Sequence, residues 1–321
     1  MRNIINKKGL EFSFGWLFAL IVGGAILFLA IYATVKIISS ERAVQETEAA
    51  KQLEIILTPV ETGYEEGKSV APIVFPTETR IYNNCSTDGN FGEQSLRAAS
   101  SLNLGKTWQE EGVPVTSYNK YIFSPSMMQG KEIYAFSKPF EMPFKIANLL
   151  FMWSDSYCFI NPPTEVEREI NSLGLKKINI SEDITACPNA SKKVCFVSDL
   201  EKCDVFVDPL QKSAVHRGKR IVFYEGSLIY GAIFSEPEVY ECQVKRLMKR
   251  ASELSLLYNA KSEGIAARAN GCSSDLQPEL QALAAATGNI NKSGELRDIS
   301  FAAGELGSKN AKIASCRLWS E

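Results

Sequence analysis

Phe12–Val35, FSFGWLFALIVGGAILFLAIYATV, is a run of 24 residues without a charge. As a helix it extends about 36 Å, against a hydrocarbon core of roughly 30 Å. No other stretch of the chain is long and apolar enough to cross a bilayer. The tail before it, MRNIINKKGLE, carries Arg2, Lys7 and Lys8. The flank after it has Lys36 and Arg42 but also Glu41, Glu46 and Glu48. Basic residues mark the cytoplasmic side of a span. The tail is therefore expected inside, and the chain from about Lys36 onward outside. A cleaved secretory signal would have an apolar core of about 7–15 residues and an A-x-A-like site soon after it. This run is longer and no such site follows closely. The expectation is an anchor, kept whole or trimmed at its amino end.

Gly15, Ala19 and Gly23 fall four residues apart on one helical face. Small residues at that spacing let two backbones approach closely, so the helix is a candidate for self-association. Lys36 to Leu57 is rich in Ala, Glu, Gln and Lys and has no Gly or Pro until Pro59. It reads as a helical stalk that continues the anchor, ended by Thr58-Pro59. Anchor and stalk together make a helix of roughly 70 Å.

The order Lys7-Lys8-Gly9, Glu11-Phe12, Gly15-Trp16 and then a long apolar helix resembles the amino terminus of archaeal type IV pilin-like proteins. The resemblance covers residues 1–35. It implies a class III signal peptide, with peptidase cleavage after Gly9, and a helix able to pack with copies of itself in a filament.

Beyond the anchor lie about 280 residues, enough for one large or two medium domains. Net charge is −2, and this basic-acidic balance gives no nucleic-acid footprint. All eight cysteines follow the anchor: Cys85, Cys158, Cys187, Cys195, Cys203, Cys242, Cys272 and Cys316. An even number on the predicted outer side points to disulfides. Zinc would require closer ligand pairs, such as C-x₂₋₄-C, and the chain has one histidine. Connectivity is not readable from spacing, although the local expectation is Cys187 with Cys195, between two strand-like segments. Asn84, Asn179, Asn189 and Asn291 each begin an N-x-S triplet, the acceptor pattern for N-glycosylation.

Residues 72–163 read as β-rich, from PIVF, TRIYNN, KYIFS and EIYAFS, with turns at Asp88-Gly89 and Gln129-Gly130. PFKIANLLFMW, residues 143–153, is so apolar that periodicity does not separate helix from strand; YCFI, residues 157–160, reads as a buried strand. The aromatic residues concentrated here read as core rather than as a ligand groove. Thr164 with Glu167 has the spacing of a capping box, and Gly174 ends that helix. KKINI, KVCFV, CDVFVD, RIVFYE and LIYGAIF follow as strands, the last two joined by a Gly226-Ser227 hairpin. Ser235 with Glu238 resembles a second capping box. It opens an amphipathic helix over about 236–263, marked by Tyr240, Val244, Leu247, Ala251, Leu254 and Tyr258. Two shorter helices follow at about 275–287 and 294–307.

No catalytic motif stands out. Gly226–Gly231 lacks the spacing of a nucleophile elbow, and there is no Walker loop or G-x-G-x-x-G. His216, in SAVHRGKR, reads as a solvated loop histidine. Asp199, Asp204 and Asp208 read as turn and cap carboxylates rather than cation ligands. Arg217, Lys219 and Arg220 read with His216 as a solvated basic cluster.

The expected fold class is α+β. Its parts are a tail (1–11), a transmembrane helix (12–35), a stalk helix (36–58), a β-rich part (59–163) and an α/β part with carboxyl-terminal helices (164–321). The expected function is a membrane-anchored surface protein with a structural or adhesive role, without catalysis or cofactor. Its expected partners are the membrane and further copies or other surface proteins. The alternatives are an anchored ligand-binding module and an anchored hydrolase.

Overall fold

A computed structural model of the chain describes residues 14–62, 72–102, 107–196, 202–224, 226–268, 274–313 and 316–320. Helix α1 runs unbroken from Phe14 to Thr62. Its first half, Phe14–Ile37, is long and apolar enough to cross a membrane, and none of it is buried by the rest of the chain. Its second half is seated on the body. Ala50, Leu53 and Leu57, spaced by three and four residues, are fully buried. The helix does not stop at Thr58-Pro59 but continues to Thr62. Tertiary contact holds this last turn: Leu57 is buried, and Lys120 Nζ donates to Thr58 Oγ1 at 3.0 Å. Lower on the helix, Val113 N donates to Thr47 Oγ1 at 2.9 Å.

The seat is a seven-stranded sheet built from β1 (Ile73–Ser86), β2 (Glu93–Leu102), β3 (Thr107–Trp108), β4 (Val115–Ser117), β5 (Tyr121–Phe123), β6 (Met127–Glu141) and β7 (Lys145–Trp153). The order is β3-β2-β1-β6-β7-β5, with β4 also paired to β2. Residues 145–153 are a strand because both faces of it are covered. Leu150 and Met152 join the cluster under α1, while Leu149, Phe151 and Trp153 join the cluster on the opposite face. A strand covered on both sides loses its alternation, so the sequence period is uninformative there. The Asp88-Gly89 turn joins β1 to β2, with Gly89 at φ 74°. Gln129-Gly130 is not a turn. It lies inside β6, paired to Thr79 and Arg80, where Arg80 Nε and Glu78 both engage the Gln129 amide.

The second sheet has six strands: β8 (Tyr157–Ile160), β9 (Ile178–Ser181), β10 (Lys192–Cys195), β11 (Val205–Asp208), β12 (Ser213–His216) and β13 (Lys219–Val222). Their order is β13-β12-β11-β10-β8-β9. β9, β8, β10 and β11 run parallel, and β12 and β13 antiparallel. Helix α2 (Thr164–Leu173) crosses from β8 to β9 and ends at Gly174 in the left-handed region. Thr164 does not cap it: Thr164 is already helical, Pro163 is the cap, and no side chain bonds there.

LIYGAIF is a helix, α3 (Leu228–Phe234), not a strand, and Gly226 at φ 83° turns the chain into it rather than into a hairpin. All but one of its residues are buried, so it too carries no readable period. Helix α4 (Pro237–Arg268) bears the expected apolar stripe, with Tyr240, Val244, Leu247 and Ala251 fully buried. Ser235 and Glu238 form no capping box. The Ser235 hydroxyl has no partner among the described residues, and Glu238 turns to Lys219 on β13 instead. Helices α5 (Gln277–Gly288) and α6 (Leu296–Lys312) complete the body, with Leu296, Ile299, Ala303 and Leu306 facing inward. The fold is thus α+β: a long amino-terminal helix, two sheets, and a helical carboxyl-terminal part.

Helix α4 is fastened to the first sheet by a buried polar network. Arg246 is fully buried and donates to the Phe91, Lys120 and Tyr118 carbonyls and to Gln243 Oε1. Gln243 in turn bonds Gln94 and the Ile122 carbonyl. Burial lowers the Arg246 guanidinium to about 10, which leaves it charged at neutral pH. Gly92 is required beside it. A Cβ there would lie 2.4 Å from Ser86 O and 2.8 Å from Arg246 Cγ, at φ +61°.

Candidate functional site

Three disulfides are described, spanning separations from 8 to 157 residues. Cys85–Cys242 ties β1 to α4 across 157 residues. Cys158–Cys187 and Cys195–Cys203 lie in one small cluster with Ile160. The expected Cys187–Cys195 pair is not formed. The short helical turn Ile184–Ala186 returns Cys187 over β8, so its partner is Cys158 on that strand, and Cys195 bonds the start of the next segment. Cys316 is also disulfide-bonded, and Cys272 lies outside the described residues. Asn84, Asn179, Asn189 and Asn291 are all exposed. Gly15, Ala19 and Gly23 lie exposed on α1, and a Cβ added at either glycine would meet nothing within 4 Å. Gly9 lies outside the described residues, as does Asp199.

The aromatic residues of the first sheet are mainly core. Tyr121, Phe123, Phe136, Phe140 and Phe144 are buried, Phe136 and Phe151 at 4.9 Å between centroids. Tyr118 is the exception, exposed at the surface. Asp208 Oδ1 accepts from Leu210 N and Gln211 N and so caps the β11–β12 turn. Asp204 Oδ2 accepts from Lys193 N at 2.8 Å. Among the described residues no group of three His, Cys, Asp or Glu is placed to hold a metal ion.

His216 is not a solvated loop residue. It ends β12, and Arg217 at φ 46° with Gly218 at φ 85° make the tight hairpin to β13. Its Nε2 lies 2.5 Å from the Ala232 carbonyl of α3. A carbonyl only accepts, so Nε2 carries the proton and Nδ1 is the acceptor of the neutral ring. Burial pushes the imidazole below its ordinary value of 6.5, helped by Lys192; the Ala232 bond, Glu236 and Glu238 oppose the shift.

Around His216 is a cleft of about 300 Å³. Tyr157, Lys192 and Val205 open the parallel strands β8, β10 and β11, and antiparallel β12 ends at His216 beside them. All four therefore lie on the same edge of the sheet, at the amino ends of its parallel strands. Phe234–Glu238, the junction of α3 and α4, closes the cleft from above. Most of its charges are already paired. Lys192 Nζ is 2.8 Å from Asp155 Oδ2, Lys219 bonds Glu238, and Asp204 holds the Lys193 amide. Of the former basic cluster, Arg220 also bonds Gln211. Four groups have no hydrogen-bond partner among the described residues: the Tyr157 and Ser235 hydroxyls, Arg217 and Glu236. Tyr157 is 1% exposed and Ser235 2%. Burial, and then Asp155, Asp204 and Glu236, raise the Tyr157 phenol, so it stays protonated as a donor.

A second cleft of about 460 Å³ lies where β8 and β11 end, the edge at which open α/β sheets usually bind ligands. Its buried polar atoms are already satisfied. Tyr230 Oη donates to Glu169 Oε2 at 2.6 Å, and Lys138 pairs with the other carboxylate oxygen. The cleft at His216 is the one with unmet bonding capacity. Sequence reading missed it because its residues come from six separate segments; the sole histidine ahead of an Arg-Gly turn was the one local signal. No protein-family model, no curated protein and no solved structure matches this chain.

Proposed function

We propose that this protein is a membrane-anchored surface subunit with a structural or adhesive role, built on a pilin-like plan and without catalysis. The observation that carries this reading is helix α1. A single unbroken helix is exposed throughout Phe14–Ile37, apolar there apart from Lys36 near its end, and is seated on a sheet by Ala50, Leu53 and Leu57. Such a helix joins membrane and body without a loop, so it transmits position and load. A soluble catalyst has no use for that connection. The disulfides accord with a body outside the cytoplasm. On this reading the tail is cytoplasmic, cleavage follows Gly9, and the uncovered Gly15–Ala19–Gly23 face meets a second copy or another membrane protein. The exposed sequons carry glycan where the host supplies it.

The test combines amino-terminal sequencing of native protein with crosslinking in membranes. Sequence beginning at Leu10, and crosslinked oligomers that Gly15→Leu or Gly23→Leu weakens, are the expected results. An intact Met1 terminus together with crosslinking unchanged in both variants would sink the pilin-like plan. The second reading, an anchored ligand-binding module, is favoured by the cleft at His216.

A further inference from the structure

We propose that the cleft at His216 binds a small zwitterionic solute of the amino-acid class. The inference goes beyond the anchoring role and does not depend on it. Three features converge. First, the cleft contains bonding capacity with no internal use: the Ser235 hydroxyl is buried and has no partner among the described residues, and the hydroxyl of Tyr157, a residue 1% exposed, has none either. Buried polar groups are ordinarily satisfied, and each one left unmet costs free energy that a ligand recovers. His216 adds Nδ1 as an acceptor, because Nε2 is committed to Ala232.

Second, the charges select by sign. The lining holds Lys192, Arg217 and Lys219 against Asp204, Glu236 and Glu238, which balance while His216 is neutral. Lys192 and Lys219 are each paired with a carboxylate and Asp204 accepts the Lys193 amide, which leaves Arg217 and Glu236 as the charged side chains of the lining without a hydrogen-bond partner among the described residues, both exposed at the rim. A ligand carrying only an anion would satisfy Arg217 and face Glu236 unmatched; a lone cation would do the reverse. A ligand with a carboxylate and an ammonium matches both, with the fork of Arg217 suited to the carboxylate.

Third, the size is that of a small molecule. About 300 Å³ is the lower end of ligand pockets, roughly 300–1,000 Å³. A sugar is disfavoured because the two aromatic rings present, Tyr157 and Phe234, are buried and offer no open face for stacking. The Tyr157 phenol is kept protonated as a donor, and the bond to Lys219 holds Glu238 below the usual carboxylate range.

The chain has one histidine, so a single imidazole resonance reports this cleft. The experiment is a titration of full-length protein in detergent micelles, with the histidine isotopically labelled. The probes are glycine and L-glutamine, with acetate, ethylammonium and sorbitol as single-feature controls. A saturable shift with at least one amino acid, roughly tenfold stronger than with any control, is expected. Arg217→Ala and Glu236→Gln should each weaken it by roughly tenfold, measured against the resonance of each variant's own free form. No saturable response to either amino acid up to about 10 mM would overturn the proposal. Response to acetate or sorbitol equal to that of the amino acids would overturn it too, in favour of an anion or polyol site.

Discussion

Glycine-to-alanine substitution should have one sign at Gly231 and the opposite sign at Gly264 and Gly304, three helical positions of this protein. In α3 a Cβ on Gly231 would lie 2.7, 3.0 and 3.1 Å from three ring carbons of Phe123. That ring has no room to retreat. Phe123 is fully buried on β5, with the Phe151 and Tyr240 rings each 5.8 Å away between centroids. Overpacking of this kind costs about 1–3 kcal/mol. Replacing glycine by alanine inside a helix returns only about 0.5–1 kcal/mol. The clash wins, and Gly231→Ala should lose about 1–2 kcal/mol net. At Gly264 in α4 and Gly304 in α6 a Cβ would meet nothing within 4 Å, so there only the helix gain of about 0.5–1 kcal/mol remains. Urea unfolding of the full-length protein in detergent measures both. Tryptophan fluorescence is a suitable signal, since Trp153 is buried and stacked on Phe234 of α3 at 5.0 Å. The midpoint should fall for Gly231→Ala and rise for the other two, with slopes unchanged. A midpoint raised equally in all three would mean that α3 is not seated on Phe123.

Further outcomes are expected. Removing the Cys85–Cys242 bridge, by the double change to serine, should cost about 5 kcal/mol on the loop-entropy scale, against about 2.5 for Cys195–Cys203, whose loop is far shorter; calorimetry that ranks them the other way would refute the entropic account. His216, with its folded-state value lowered by burial, binds fewer protons folded than unfolded. Its contribution is therefore complete above the ordinary value of 6.5 and is lost as pH falls below it. His216→Gln should flatten that part of the stability profile, and an unchanged slope would place the imidazole in water. Protease added to intact cells should remove the body and leave an amino-terminal tag protected; the reverse pattern would invert the topology.

Elements with one covered face were legible in the sequence, and elements covered all round were not. Helix α4 shows Tyr240, Val244, Leu247 and Ala251 on one side and charge on the other, so its period survives. In α3 and β7 the buried residues have no polar counterpart to set a phase, and LIYGAIF was equally good as a strand. Thr164–Glu167 and Ser235–Glu238 have the spacing of capping boxes but not the position, because Pro163 and Pro237 set where the helices begin. The cysteines announced bridges but not partners: Cys158 meets Cys187 through a turn whose path depends on the sheet. The cleft was least legible of all. Tyr157, Lys192, His216 and Ser235 are distant in sequence and adjacent only because four strands present their ends on one edge.

The bond from Val113 to Thr47 sets how high the body rides. With Phe14–Ile37 across a bilayer, ten residues of helix separate the end of the span from Thr47, a rise of about 15 Å. The headgroup layer on each side of a bilayer is about 5–8 Å thick. At physiological salt, potentials decay over about 8 Å. The loop at Val113, carrying Glu110 and Glu111, therefore clears the headgroups by about one screening length. Lipid charge should have little hold on the body, whose orientation is then governed by the tilt of a single helix.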